Sequence, residues 1–164
     1  MFSEMRRKKR EMDTEAAESL LKCSRRGILA VNRDNMKIVI IHGQSHKGST
    51  YHIGKQVADK LGGEVTEFFL PRDFSDFCVG CTQCFRKSET LCPHYERLKK
   101  ITEAMDEADV LIFTTPVYVY HCTGSMKAFL DHYGYRWMVH RPEQKMFTKQ
   151  AVVISVSYTH LRAH

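Results

Sequence analysis

Four cysteines stand within the short segment CVGCTQCFRKSETLC. Four thiolates in one compact loop are the ligand set of a 4Fe-4S cluster or of a tetrahedral zinc ion. Structural zinc sites more often use two separated C-x2-C pairs, so this spacing favours the cluster. A loop that packs without metal, a zinc site and disulfides remain the alternatives. The predicted metal ligands are Cys78, Cys81, Cys84 and Cys92.

The loop GQSHKGST, which follows the apolar run KIVIIH, also has the composition of a binding site. Small residues let an anion approach the backbone, and hydroxyl, imidazole and ammonium groups stand beside a predicted helix N-terminus. This combination predicts a phosphate site, although the loop matches neither the dinucleotide-binding glycine motif nor the P-loop. A polar strand-to-helix turn is the alternative. The candidate residues are Gln44, Ser45, His46, Lys47, Gly48, Ser49 and Thr50.

The segment TTPVYVYHCTG follows another apolar run, DVLIF. A proline and two tyrosines after a buried strand can present flat apolar surface and backbone N–H groups to a planar ring. The alternative is that Tyr118 and Tyr120 are core or interface aromatics. Taken alone, the segment favours this alternative.

The elements that must position these loops are read from hydrophobic periodicity. Continuous apolar runs predict strands buried on both faces, and apolar residues at helical spacing predict the helices between them. Strands that alternate with helices indicate an α/β fold with a doubly wound parallel sheet. The predicted strands are 37–42, 64–70, 109–118 and 149–156, with a further short strand at 27–31. The predicted helices are 11–26, 51–61 and 95–108, and the segment 124–138 is predicted to be helical at least in its first half.

The sequences KIVIIHGQSHKGSTYHIGKQVADKL, CVGCTQC and ADVLIFTTPVYVYHCTGSMKAFLDHY together resemble the flavodoxin-like NADPH-dependent FMN reductase family. The resemblance covers residues 36–156 and implies FMN as cofactor and NAD(P)H as co-substrate. It implies that residues 44–50 bind the FMN phosphate. The family's usual Gly-Ser-Pro-Arg opening is replaced here by Gly43-Gln44-Ser45-His46, so the phosphate contacts differ. The residues implied along the isoalloxazine ring are Pro116, Val117, Tyr118 and Val119.

The cysteine loop is also similar to that of the iron–sulfur flavoprotein subgroup, whose cluster motif lies between the second strand and the following helix. The resemblance implies an enzyme in which reduced FMN passes electrons to a small-molecule or protein acceptor, with a 4Fe-4S cluster as a further carrier. It also implies a homo-oligomer and assigns no catalytic side chain. The rival functions are a non-enzymatic electron-transfer protein and a zinc-stapled nucleic-acid-binding module.

Composition restricts the function further. The formal net charge is +6, and much of the excess lies in MRRKKR near the N-terminus. No aromatic residues interleave with this basic run, so it predicts a solvated helix start rather than a nucleic-acid site. No apolar run approaches the ~20 residues that span a bilayer. With no recognisable signal peptide, we expect a cytoplasmic protein without membrane contact.

The chain ends do not fit the rest of the pattern. Residues 5–34 resemble the opening of pyridoxamine-phosphate-oxidase-like split-barrel flavoproteins, so we expect residues 1–35 to be an appended basic helix and strand. The FMN-binding domain is expected over 36–156, and the polar tail at 157–164 is expected to be non-native. Family members continue through a further strand, so we expect a sheet that is truncated at its C-terminal end.

Overall fold

The computed structural model describes residues 35–138 and 144–157. The predicted strands and the helices after residue 36 are found there, and except at the end of the segment 124–138 their bounds agree to within two residues. The elements are β1 (Lys37–His42), α1 (Ser49–Leu61), β2 (Glu64–Phe69), α2 (Gln83–Arg86), a 3-10 helix (Glu89–Leu91), α3 (Tyr95–Glu107), β3 (Val110–Pro116), α4 (Gly124–Asp131), α5 (Tyr135–Met138), α6 (Gln144–Thr148) and β4 (Gln150–Val156).

The strands form one parallel sheet in the order β2-β1-β3-β4. β1 lies inside the sheet, where Ile40 is opposite Glu67 of β2 on one side and Ile112 of β3 on the other. The helices are the crossover connections that parallel pairing requires. The predicted α/β, flavodoxin-like doubly wound sheet is therefore confirmed.

Two hydrophobic cores lie on opposite faces of this sheet. Because successive side chains of a strand point to opposite faces, Ile38 and Ile40 pack with α1, while Val39 and Ile41 pack with α3 and α4. Fully burying one such side chain stabilises the fold by about 1.5–3 kcal/mol. The two-sided burial explains why the strands read as continuous apolar runs rather than as alternating ones.

The predicted apolar faces of the helices are the faces that are buried. Ile53 and Val57 of α1 are 5% and 3% exposed, and Leu98, Ile101 and Met105 of α3 are 6%, 2% and 7% exposed. No helix in the described ranges combines the length and apolarity needed to cross a membrane.

The segment 124–138 is helical in its first half, as predicted, and the helix is then interrupted. α4 ends at Asp131, and α5 begins at Tyr135 after a turn. Gly134 lies in this turn, where a Cβ would stand 3.1 Å from the Phe85 ring, so glycine permits the close approach of α2. The helix predicted at 11–26, the strand predicted at 27–31 and the tail from residue 158 lie outside the described residues.

A lysine at the start of β4 ties that strand to the end of α3. The Lys149 ammonium donates to the carbonyl oxygens of Met105 at 2.9 Å and Asp106 at 3.0 Å, and also to that of Ala108. A cation at a helix C-terminus satisfies exposed carbonyls and matches the negative end of the helix dipole. This contact fixes the start of β4 beside the end of α3, at the edge of the sheet opposite to the two loops.

Candidate functional site

The site lies where the winding of the sheet reverses. The chain moves from β1 to β2 on one side and then crosses to β3 on the other side, so β1 and β3 are neighbours whose loops leave in opposite directions. Ligands of open α/β sheets bind in the crevice at such a switch point, outside the carboxyl ends of the strands. The two segments that border it are residues 43–48 and 117–123, which sequence analysis had selected.

The first loop presents an uncapped helix N-terminus. α1 begins at Ser49, and Gly48 before it has extended backbone and provides no side-chain hydrogen bond. Backbone N–H groups in the first turn of such a helix are donors for an anion. The side chains of Ser45, His46 and Lys47 are exposed beside it, whereas Thr50 is only 3% exposed. Thr50 can therefore contribute through its backbone rather than its hydroxyl.

The second loop is a tight turn with an apolar tip. Tyr118 and His121 exchange backbone hydrogen bonds of 2.8 and 3.0 Å. Between them Val119 and Tyr120 have φ values of 48° and 62°, in the left-handed region that costs a non-glycine residue on the order of 1–3 kcal/mol. Their side chains are 92% and 91% exposed. Strained backbone that holds apolar side chains outward is typical of a contact surface.

Hydrogen bonds join the two loops into one unit. The Gly43 N–H donates to the Thr114 carbonyl at 2.7 Å, and the Thr123 hydroxyl donates to the Gly43 carbonyl at 2.6 Å. Near the surface the Tyr118 hydroxyl donates to Gln44 Oε1 at 3.1 Å. A Cβ on Gly43 would stand 2.8 Å from Thr123 Oγ1, so this approach requires glycine. The loops therefore hold a fixed spacing before any ligand binds.

Sequence analysis did not identify the buried polar residues beneath the loops. His42, the last residue of β1, is 1% exposed and contacts Thr114 Oγ1 at 2.8 Å and Glu67 Oε2 at 3.1 Å. Burial lowers the pKa of His42 below its ordinary value, so the imidazole is neutral. Lys55 of α1 holds the same carboxylate at 3.0 Å. The only signal in the sequence was a histidine at the end of an otherwise apolar strand.

The cysteine segment lies after β2, at the same edge of the sheet, and ends at the start of α3. Cys78 and Cys81 are exposed, whereas Cys84 and Cys92 are half-buried. Burial raises the pKa of the Cys84 thiol, and Cys92, Cys78 and Cys81 raise it further through their charge. The segment lies between the second strand and the following helix, as expected.

The arrangement of these sulfurs is looser than a closed metal site. Within residues 35–138 and 144–157, no group of three or more Cys, His, Asp or Glu side chains is close enough together to hold a metal ion. The donor chemistry nevertheless fits a cluster, since soft thiolates are its usual ligands. Next to the segment, the buried Nε2 of His94 has no hydrogen-bond partner among the described residues, as expected where a group or water is still to bind.

Comparison with known proteins agrees with this geometry. The profile of the NADPH-dependent FMN reductase family matches residues 36–164. The chain belongs to this family. The match begins at Met36, one residue before β1. The predicted family is therefore confirmed, while the assignment of individual site residues stays a prediction.

Relatives of this FMN reductase family member include archaeal iron–sulfur flavoproteins. One from Methanocaldococcus jannaschii is 31% identical over 99 residues, which is 58% of this chain and 50% of the relative. One from Archaeoglobus fulgidus is 30% identical over 99 residues, which is 58% of this chain and 48% of the relative. The chain thus spans about half the length of these curated relatives.

A solved structure supports the fold of this FMN reductase family member. A flavone reductase superposes with a TM-score of 0.50 at 20% identity, over 74% of this chain and 43% of that chain. At this identity the likeness supports the α/β sheet architecture alone.

Proposed function

We propose that the chain binds FMN at the carboxyl edge of β1 and β3 and acts as a flavin-dependent NAD(P)H oxidoreductase. The observation that carries this proposal is the pair of joined loops at the switch point, with an uncapped helix N-terminus in one and an apolar tip in the other. A phosphate and a planar ring held a short distance apart are the two parts of FMN that such loops suit. The family membership points to the same cofactor.

The residues of the chain would bind and orient the cofactor. The N–H groups at the start of α1, with Lys47 and the exposed side chains before it, would hold the phosphate by dipole and charge. Residues 116–119 would lie along the ring, and the buried hydrogen bonds beneath them would keep their spacing. Bound FMN supplies the redox chemistry, in which it accepts a hydride from NAD(P)H and passes electrons to an acceptor.

The cysteine segment is proposed to hold a 4Fe-4S cluster through Cys78, Cys81, Cys84 and Cys92. The four thiols of one short segment, two of them half-buried, support this, since soft thiolates are the usual ligands of such a cluster. The names of the curated relatives support it as well. A cluster at this edge of the sheet would let electrons enter or leave the flavin site one at a time.

A direct test is anaerobic purification of the full chain, followed by an absorption spectrum and assays of flavin, iron and zinc. Flavin bands with about four irons per chain support the cluster flavoprotein. Flavin without iron removes the cluster from the proposal, and zinc with salt-dependent DNA retention would favour the nucleic-acid-binding alternative. No flavin after FMN is added would contradict the whole proposal. Cys122→Ala, a cysteine outside the segment, is the matched control for Cys84→Ala.

Turnover separates the enzyme from an electron carrier. Steady oxidation of NADPH or NADH by the FMN-loaded protein with a small acceptor supports the enzyme. Reduction by a protein partner with negligible NAD(P)H turnover supports the non-enzymatic electron-transfer protein instead. The apolar tip at Val119 and Tyr120, 92% and 91% exposed, favours a further macromolecular contact, and a homo-oligomer is our proposal for it. Light scattering of the wild type and of Tyr120→Ser tests that assignment.

A further inference from the structure

A chain of polar side chains runs beneath the two loops and joins four elements of the fold. Lys55 of α1 donates to Glu67 of β2 at 3.0 Å, and Glu67 contacts His42 of β1 at 3.1 Å. His42 in turn contacts the Thr114 hydroxyl of β3 at 2.8 Å. His42 and Thr114 are each 1% exposed, so this contact lies fully inside the protein.

The proton positions in this chain follow from its partners. A carboxylate only accepts hydrogen bonds, so the His42 Nε2 carries the hydrogen that faces Glu67. In the neutral imidazole Nδ1 then accepts, and the Thr114 hydroxyl donates to it. Both ring nitrogens of His42 therefore have a hydrogen-bond partner when the imidazole is neutral. Phe69, stacked on the imidazole with ring centres 4.4 Å apart, restricts its rotation.

The same two residues are the attachment points of the loops. His42 directly precedes Gly43, whose N–H donates to the Thr114 carbonyl at 2.7 Å. Thr114 therefore holds the start of the first loop twice, through its hydroxyl to His42 and through its carbonyl to Gly43. Two residues later, Pro116 ends β3 and the second loop begins. A shift of Thr114 relative to β1 would change the distance between the loops.

We propose that His42 is a positioning residue, which Glu67 and Lys55 orient, and that through Thr114 it sets the spacing of the phosphate-binding and ring-binding loops. The inference rests on the proposed binding of FMN, because the spacing matters for a ligand that both loops grip. An apolar residue would fill the end of β1 without the desolvation cost of an imidazole, a carboxylate and a hydroxyl. A fully hydrogen-bonded polar network offsets this cost and fixes one arrangement of the strands and loops that it joins.

The experiment compares substitutions that remove one contact at a time. Thr114→Val keeps the shape and removes the hydroxyl. His42→Asn keeps a polar group near the Nδ1 position, which faces Thr114, whereas His42→Gln keeps one near the Nε2 position, which faces Glu67. Thr102→Val is the matched control, since it removes a hydrogen bond of 2.9 Å to Tyr133 on the other side of the sheet. FMN affinity and amide hydrogen exchange are measured for each full-length variant.

The inference predicts that Thr114→Val weakens FMN binding about tenfold, the loss of one buried hydrogen bond with its partner left unsatisfied. His42→Asn retains more affinity than His42→Gln. Amide exchange should increase in both residues 43–50 and residues 117–123 for Thr114→Val. Thr102→Val should lower the stability without changing FMN affinity.

Three results would overturn the inference. Two concern affinity: a Thr114→Val protein whose FMN affinity matches that of Thr102→Val, and an equal loss in His42→Asn and His42→Gln. The third is unchanged hydrogen exchange in the loops of Thr114→Val. Hydrogen exchange separates this failure from failure of the proposed function, because it is measured without flavin. If the wild type binds no FMN but exchange in both loops is faster in Thr114→Val than in the wild type, the FMN proposal is refuted and the positioning role is kept. Unchanged loop exchange would refute the positioning role whatever the flavin does.

Discussion

The loops after β1 and β3 are held to each other by buried hydrogen bonds, whereas the cysteine segment after β2 has an exposed middle. Inside the protein, Gly43 donates to the Thr114 carbonyl at 2.7 Å and accepts from the Thr123 hydroxyl at 2.6 Å. In the second region Phe77 is 74% and Val79 64% exposed, and Cys78 and Cys81 are exposed as well. The first region is thus organised before its ligand binds. In the second region, the described donor side chains are not close enough together to hold a metal ion.

This difference separates two routes to a cofactor site. A preorganised site loses little conformational freedom on binding, so its affinity reflects the contacts it makes. A metal site that forms only with its metal draws part of its local order from the binding energy. Damage to the two regions should therefore have different consequences, which the following substitutions test from the largest effect to the smallest.

The largest expected effect is the loss of iron on substitution of Cys84. Cys84→Ala removes one of the four proposed thiolate ligands, so we expect the cluster to be absent altogether. FMN affinity should change by less than about threefold, because the flavin loops do not depend on this segment. Iron analysis and flavin titration measure the two effects. Iron retained in Cys84→Ala, or lost equally in Cys122→Ala, would contradict the ligand assignment.

Gly43→Ala should break the flavin loops and leave the cysteine segment intact. The added Cβ would stand 2.8 Å from Thr123 Oγ1 and 3.2 Å from the Thr114 carbonyl, so the loops must separate. Such overpacking costs about 1–3 kcal/mol, and we expect FMN binding to weaken by at least about tenfold. Flavin fluorescence titration measures the change, and iron content should stay at the wild-type level.

Gly124→Ala is the control for this substitution. A Cβ at Gly124, at the start of α4, would meet nothing within 4 Å of it in the structure, and alanine favours a helix. Its FMN affinity and stability should match or exceed those of the wild type. If Gly43→Ala behaves in the same way, the two loops are not joined as described.

Lowering the pH should reduce the stability of the protein through protonation of His42, which lies beneath the two loops. Burial lowers the pKa of His42 below 6.5, so the unfolded chain takes up this proton first. The stability contribution is complete above about pH 6.5 and is lost as the pH falls below that value, because the unfolded state then binds more protons. The charged groups that face the imidazole are Glu67, Lys55 and Lys47, and Glu67 opposes the shift.

Urea unfolding at pH 7.5 and at pH 5.5 measures this effect. Burial also lowers the pKa of His132, so the wild type loses stability from both histidines over this range. The comparison with His42→Gln isolates the part that belongs to His42, and the variant should lose less stability between the two pH values. An identical loss in both proteins would mean that His42 is not buried in its neutral form.

Tyr118→Phe should have the smallest effect. It removes the hydrogen bond of 3.1 Å from the Tyr118 hydroxyl to Gln44, near the surface, where Tyr118 is 55% exposed. Water can replace such a partner, so we expect FMN affinity to fall by only about two- to threefold, with unchanged stability. Tyr120→Phe, at the 91% exposed neighbour, should change neither quantity. A larger effect of Tyr118→Phe would mean that the hydrogen bond between Tyr118 and Gln44 at the surface, rather than the buried bonds of Gly43, holds the two loops together.

Much of the fold was predictable because its strands are buried on both faces. The apolar runs at 37–42 and 110–113 have no charged residue after Lys37, and this texture occurs mainly in parallel sheets covered by helices. The break between α4 and α5 was not predictable, since Gly134 has a role only where Phe85 of a distant helix reaches it. The loops were recognisable from local composition and from their place after strands.

The sequence by itself determined the residue types at the site, namely the polar loop before α1, the Pro-Val-Tyr segment after β3 and the four clustered thiols. Only the tertiary structure decided which of them meet. The hydrogen bonds from Thr114 to His42 and from Thr123 to Gly43 join residues 72 and 80 positions apart in the chain. No local pattern encodes such pairs, because they depend on parallel pairing of β1 with β3 and on the direction in which the chain winds between them.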